Sequence, residues 1–343
     1  MSFSWLALGM VLASLLIAVA VVRGAMAYAH RRNMLDLPGQ RRSHTIPTPR
    51  GGGIGIVVAA LLTMPASLCL LPSPWPVGMA LMLALATVLV AAVGWWDDHR
   101  PLPVLPRFCV QLLASGVIAV AFAWGGLSWW WLPVLVLAGG WSINLHNFMD
   151  GIDGLLAQQV IFVSLGLGLL ALSVGQSAQA VASACLAAAA LGFWFFNRPR
   201  ARIFMGDVGS GTMGLLLFAL TAMLWRVETR LLWPALILSS SFVADASLTL
   251  LSRMASGRRW HTAHREHLYQ WLVRSGFTHA TGGACYLAWN LVVAAPLAVL
   301  AWAWPVGSVP VFMGTYLVAM TAWIFMKRQC LGRVLHKGRH VAS

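Results

Sequence analysis

Charged residues are scarce in this chain. Only 9% of its 343 residues are Asp, Glu, Lys or Arg, and only nine are acidic, whereas soluble globular domains carry about a quarter of their residues charged. With 59% apolar residues and a mean hydropathy of +0.78, that scarcity excludes a soluble domain and leaves a polytopic membrane protein. The five cysteines, at 69, 109, 185, 285 and 330, never form a C-x-x-C pair, which argues against a disulfide framework or a cysteine metal site. The first apolar run has no basic residues ahead of it and exceeds the ~7–15 residues usual in a signal peptide. Despite a cleavage-like Ala25-Met26-Ala27, it reads as a membrane helix.

Long apolar runs are what the chain has in abundance. Crossing a hydrocarbon core takes about 20 helical residues, and eleven runs approach that length, at roughly 4–22, 54–71, 77–95, 107–124, 128–143, 158–174, 178–196, 212–225, 231–250, 284–304 and 308–326. The runs at 128–143 and 212–225 are short, so the sequence predicts an all-α polytopic fold of about 10–11 transmembrane helices, one domain over 1–343, with a basic tail from about 327. Lys and Arg collect in cytoplasmic loops. An outside N-terminus makes loops 23–53, 96–106, 144–157, 197–211 and 251–283 cytoplasmic, with the loop-proximal Arg107 and the tail, and leaves only Arg226 and Arg230 of 23 basic residues opposite. The net charge of +14 then describes one basic face, suited to membrane lipid headgroups or anionic substrates and poorly suited to nucleic acid in so buried a chain.

Most of the acids fall in these same loops. The first loop carries Pro47-Thr48-Pro49-Arg50-Gly51-Gly52-Gly53, where glycine turns can offer N–H groups to an anion beside Arg50 or simply allow close helix packing. The second carries Trp96-Asp97-Asp98-His99-Arg100. Adjacent carboxylates repel, and a cation or a shared proton resolves that, unless the pair is only a solvated helix end; it is not the D-D-x-x-D of prenyl transferases. The third reads Asn144-Leu145-His146-Asn147-Phe148-Met149-Asp150-Gly151-Ile152-Asp153-Gly154. Its two Asp at i, i+3 share one helix face or one tight turn. D-x-x-D-G also opens the signature of CDP-alcohol phosphatidyltransferases, but Leu155-Leu156-Ala157-Gln158 is not the continuation that family requires.

The fourth loop places Asp207 between Gly206 and Val208-Gly209-Ser210-Gly211 ahead of a helix, where N–H groups can take phosphate and the carboxylate a hard cation, or where it merely caps. In the fifth, His261, His264 and His267 recur every third residue beside Arg265. On a helix they would form a stripe: an anion-binding face, a zinc set or an amphipathic surface helix. Asp245 lies inside the ninth run, where a carboxylate is a functional candidate by default or is held by a neighbouring Arg.

Carboxylates able to hold Mg²⁺, beside basic groups able to hold phosphate, are what phosphoryl transfer needs. The runs 47–53, 96–98, Asn147–Gly154, Phe204–Ser210 and His264–Gln270, taken together and in order, resemble the polyprenyl-phosphate N-acetylhexosamine-1-phosphate transferases over nearly the whole chain. Within that family the chain is similar to the initiators of O-antigen and enterobacterial common antigen synthesis. It departs from peptidoglycan translocase I, which has consecutive histidines in the fifth loop.

The resemblance implies a bacterial inner-membrane enzyme with a cytoplasmic-face active site. It would transfer a sugar 1-phosphate from a UDP-N-acetylhexosamine to undecaprenyl phosphate, releasing UMP, with Mg²⁺ or Mn²⁺. It makes Asp207 and Asn147 metal ligands, and Asp97, Asp98 and His264 catalytic candidates with Asp207. Asn147, Asp150 and Asp153 would lie on the nucleotide side, and Arg50, Arg265 and His267 would hold diphosphate or sugar. Other readings are translocase-I-like transfer, or a transporter using intramembrane carboxylates.

Overall fold

The computed structural model describes residues 2–36, 47–258 and 265–341. It is almost wholly helical: α1 Ser2–Arg31, α2 Ile54–Leu70, α3 Val77–His99, α4 Val104–Trp124, α5 Leu132–Phe148, α6 Leu155–Ser173, α7 Ser177–Asn197, α8 Asp207–Val227, α9 Leu232–Leu238, α10 Ser240–Ala255, α11 Leu268–Arg274, α12 His279–Trp289, α13 Ala295–Ala303 and α14 Ser308–Val341. Two two-residue strands, β1 Leu35–Asp36 and β2 Thr48–Pro49, pair antiparallel. Among the described residues, eight helices are long and apolar enough to cross a membrane, nine if the bent pair α9–α10 is one span.

All eleven apolar runs are helical, but the number of full-length spans is smaller than the ten or eleven expected from them. Helices α2 and α5 have 17 residues each, about 25 Å of rise, short of a full crossing. The run at 231–250 is broken at Ser239 by a 75° bend. The run at 212–225, short on paper, starts earlier, at Asp207, because the Gly-Ser-Gly-Thr stretch is helical and buried. The basic tail continues α14 to Val341.

Helix α8 lies at the centre, packed on α3, α5, α2 and α6, while α7 joins α1, α2 and α6. Small residues set this packing. A Cβ on Gly53 would strike the Gly209 backbone, and one on Gly94 would lie 2.5 Å from the Asp207 carbonyl oxygen. Close approach of backbones through small residues is how helices associate inside a bilayer, where no hydrophobic force acts between them.

The C-terminal third is organised by polar groups. At the α9–α10 break, Ser241 Oγ donates to Gln159 Oε1 (3.2 Å) and Asn290 Nδ2 donates to the same oxygen (2.6 Å). Asn290 opens the π-helical turn Asn290–Ala294 that links α12 to α13. Asp245, 2% exposed, accepts from Leu268 N–H (2.8 Å), Thr249 Oγ1 (3.2 Å), Trp323 Nε1 (3.1 Å) and Tyr286 OH (2.6 Å). It pairs with no Arg among the described residues. It ties α10, α11, α12 and α14 together, and a carboxylate so engaged is a poor substrate site for a transporter.

Replacing Asp245 by Ala strands four donors in a low-dielectric interior. This is expected to cost roughly 3–5 kcal/mol, read as a lower midpoint of thermal unfolding in detergent. An unchanged midpoint would show that Asp245 is not the anchor of these helices.

Candidate active site

The loops at one end of the bundle enclose a cavity of about 270 Å³ whose lining includes Asp98, Asp150, Asp153, Asp207, Arg50 and Arg265. They reach it from five different parts of the chain. Asp98 comes from the last turn of α3, Asp207 from the first residue of α8, and Asp150 and Asp153 from the α5–α6 turn. Arg50 follows β2, and Arg265 precedes α11.

The acid that fixes the geometry is Asp98. It is 3% exposed, and its Oδ1 and Oδ2 accept the Asp207 and Val208 N–H groups, each at 3.1 Å. These donors have no partner within α8, and the positive end of the helix dipole points at the same carboxylate. Gly206 is the enabling residue. Its φ is +75°, and a Cβ there would lie 2.5 Å from Asp98 Oδ2. Gly52 and Gly53 N–H bond the Phe204 and Met205 carbonyls (2.9 and 2.8 Å), and Phe204 N–H bonds the Pro49 carbonyl (2.8 Å). The glycine turns expected to cradle phosphate therefore have these N–H groups committed to a bracket between the first and fourth loops.

The paired acids have divided partners. Asp97 does not line the cavity; it accepts Leu102 N–H (2.6 Å) and Arg107 Nη1 (2.7 Å). Asp153 accepts Arg200 and Ala201 N–H (3.1 and 3.2 Å) and meets His279 Nδ1 at 3.1 Å. Burial alone would raise its pKa, but the bond and charge of His279 and the two N–H groups outweigh it and hold the carboxyl below the usual range. The Asp150 carboxylate has no hydrogen-bond or ion-pair partner among the described residues, while its N–H donates to the Asn147 carbonyl (3.3 Å). Its carboxyl is pushed up to about 8, by burial first and then by Asp207, Asp98 and Asp153.

Asn147 donates Nδ2 to Ser210 Oγ at 3.0 Å, tying α5 to α8, and does not line the cavity. Arg50 donates an Nη to the Asp98 carbonyl. His261 and His264 lie outside the described residues. His267 is not on a helical stripe: it caps α11, buried between Phe148 (5.9 Å) and Tyr269 (6.0 Å) and 4.0 Å from Asp245. Glu266 pairs with Arg253 and with Arg258 (2.9 Å). Tyr269, whose phenol is pushed up by burial and stays neutral, donates to the Phe148 carbonyl at 2.9 Å.

Sequence reasoning did not single out Arg107, His279, Phe204 or Gln270. Phe204 and Gln270 line the cavity and stood inside motifs already noticed. Arg107 and His279 carried no local signal, since their partners are remote in sequence.

Among the described residues no three His, Cys, Asp or Glu side chains could hold a metal ion by themselves. Mg²⁺ does not ask for that: it binds through one or two carboxylates and completes its shell with waters and substrate phosphates. Asp207, with the partnerless and mutually repelled Asp150, fits such an ion. The site thus sets clustered carboxylates beside two arginines in a multi-pass membrane protein.

Comparison with known proteins specifies the class. Residues 80–225 match the family described as glycosyl transferase family 4. The chain is 30% identical over 336 residues to the decaprenyl-phosphate N-acetylglucosaminephosphotransferase of Mycobacterium tuberculosis, covering 86% of this chain and 82% of that one. It is 31% identical over 318 residues to the enzyme of the same name from Mycolicibacterium smegmatis, covering 80% and 75%. Against the phospho-N-acetylmuramoyl-pentapeptide-transferase of Moorella thermoacetica it is 32% identical over 253 residues, covering 64% and 74%. The chain belongs to glycosyl transferase family 4, and it is a membrane transferase.

Two outcomes are expected from this geometry. Gly206→Ala combines a strained φ with a clash against Asp98 and should destabilise by about 1–3 kcal/mol, measured by thermal unfolding; a neutral effect would mean that the bracket yields. Asp153, with its folded pKa depressed, stabilises fully above the unfolded carboxyl value of about 3.9 and loses that contribution as pH falls further. Asp153→Asn should therefore be less stable than the parent at neutral pH and lose less on acidification. Parallel stability–pH curves would show that Asp153 carries no linkage.

Proposed function

We propose that this chain transfers an N-acetylhexosamine 1-phosphate from a UDP-sugar to undecaprenyl phosphate, giving undecaprenyl-diphosphate-sugar and UMP. The observation that carries this reading is Asp150, a partnerless carboxylate that shares one cavity with Asp207, Arg50 and Arg265 in a family 4 chain. An oxygen of the lipid phosphate attacks the β-phosphorus, and the bond from that phosphorus to the bridging oxygen breaks, so UMP leaves with the electron pair. A phosphate monoester has its second pKa near 6, so the nucleophile is already ionised at neutral pH and needs no protein base.

Asp207 and Asp150 would hold Mg²⁺, which supplies charge neutralisation and alignment of the diphosphate when bound. Arg50 and Arg265 orient the phosphates from the cavity wall, bidentate geometry being what guanidinium offers. Asp98 acts by holding the α8 N-terminus, and with it Asp207, in place. Asn147 supports the same turn through Ser210. The proposed setting is the inner face of a bacterial cytoplasmic membrane and the first lipid-linked step of O-antigen or another surface polysaccharide. N-acetylfucosamine, N-acetylquinovosamine and N-acetylglucosamine are the sugars proposed, and a few polar contacts would decide among them.

Purified protein given undecaprenyl phosphate and a panel of UDP-sugars is expected to release UMP only with a divalent cation. Asp207→Asn should lower that rate by about a hundredfold or more, the scale of several kcal/mol of charge stabilisation. Turnover of UDP-N-acetylmuramoyl-pentapeptide alone would favour the translocase-like reading. Full activity in Asp207→Asn would remove the cation assignment.

A further inference from the structure

Among the described residues, the Asp207 carboxylate has one cationic partner. Arg107, from the first turn of α4, places a single nitrogen, Nη1, 2.9 Å from Asp207 Oδ2 and 2.7 Å from Asp97 Oδ2. Two other cavity acids are held differently. Asp98 is locked by two backbone N–H groups, and Asp153 by two more and His279. Asp207 is held by a long, partly solvated side chain, with 29% of the Arg107 side chain and 32% of the Asp207 side chain exposed, and its carboxyl also lies within hydrogen-bond reach of the Asp97 carboxyl. The Arg107 Nε is buried without a hydrogen-bond partner, so the guanidinium is under-used where it stands. Arg107 does not itself line the cavity.

We propose that Arg107 is the resident counter-ion of Asp207, and that a divalent cation takes this carboxylate in competition with it. The inference rests on the cation-assisted reading given above. A guanidinium on a carboxylate lowers that oxygen's attraction for a second cation. A free ion is thereby held weakly, while an ion that brings substrate phosphate oxygens with it gains further ligands and prevails. Asp97 is the second seat: because Nη1 already touches Asp97, the guanidinium can give up Asp207 without losing its carboxylate partner. Arg107 is thus a positioning residue that ties cation uptake to nucleotide-sugar arrival, and it need not touch the reacting atoms.

The test uses the full-length protein in detergent with Mn²⁺ as the probe and no substrate, reading free Mn²⁺ by electron paramagnetic resonance. Arg107→Gln is expected to bind Mn²⁺ about fivefold tighter than the parent, the upper scale of a partly screened charge pair, whereas Arg107→Lys stays near the parent. Equal or weaker binding in a folded Arg107→Gln overturns the proposal. A second measurement needs no variant: phenylglyoxal labelling of the unaltered protein, mapped by mass spectrometry. Labelling at Arg107 should rise on adding Mn²⁺, and unchanged or reduced labelling overturns the proposal, as does failure of the parent to bind Mn²⁺ at all. Mn²⁺-dependent labelling without UMP release from any UDP-sugar would remove the transferase reading and leave the counter-ion. UMP release with Arg107 labelling unmoved would do the reverse.

Discussion

The Asp98 carboxylate, seated on the first two N–H groups of α8, is the contact on which the rest of the site depends. A helix that starts inside a protein has N–H donors without intrahelical partners, and a carboxylate there satisfies them and meets the dipole. Here the acid comes from α3, so one interaction fixes the register between two central helices. Gly94 and Gly206 make room for it, and the bracket of 47–53 against 204–206 fastens the first loop to the same point. Asp207 is aimed as a consequence.

That contact also bears on the anion binding proposed for the cavity. The Asp207 and Val208 N–H groups are spent on Asp98, and those of Gly52 and Gly53 on the Phe204 and Met205 carbonyls, so these four do not cradle a phosphate. In the proposed reaction the work falls to Arg50, Arg265 and a cation at the carboxylates, which would place charge neutralisation on side chains and on what the substrate brings. The cavity acids then differ by circumstance: Asp98 and Asp153 are satisfied by backbone, Asp207 shares a guanidinium, and Asp150 is crowded by the other three.

Much of this was legible in the sequence. Apolar run length marked every helix of membrane-crossing length among the described residues but over-counted them, and the gathering of scarce acids and glycines into loops pointed to residues that line the cavity. Less legible was whatever depends on partners far along the chain. Adjacent Asp97 and Asp98 look alike, yet one turns to Arg107 and the other to the α8 N-terminus. Asp150 and Asp153 share a turn, yet His279 and the 200–201 backbone claim only the second. The break at Ser239 has no proline or glycine to announce it; it coincides with the Gln159, Ser241 and Asn290 cluster, drawn from three helices. Asp245 shows the limit of treating an intramembrane carboxylate as functional by default: with four donors on it, it is an anchor. His267 looked like one of a helical stripe because periodicity ignores where a helix begins, and α11 begins just after it.

The most direct measurement is a cryo-electron microscopy map of the protein with UDP-N-acetylglucosamine and Mg²⁺. The diphosphate is expected in the cavity between Arg50, Arg265 and Asp207, with Asp98 still on the α8 N–H groups. A diphosphate bound elsewhere, or an Asp98 that has left α8 to hold the ion, would contradict that expectation.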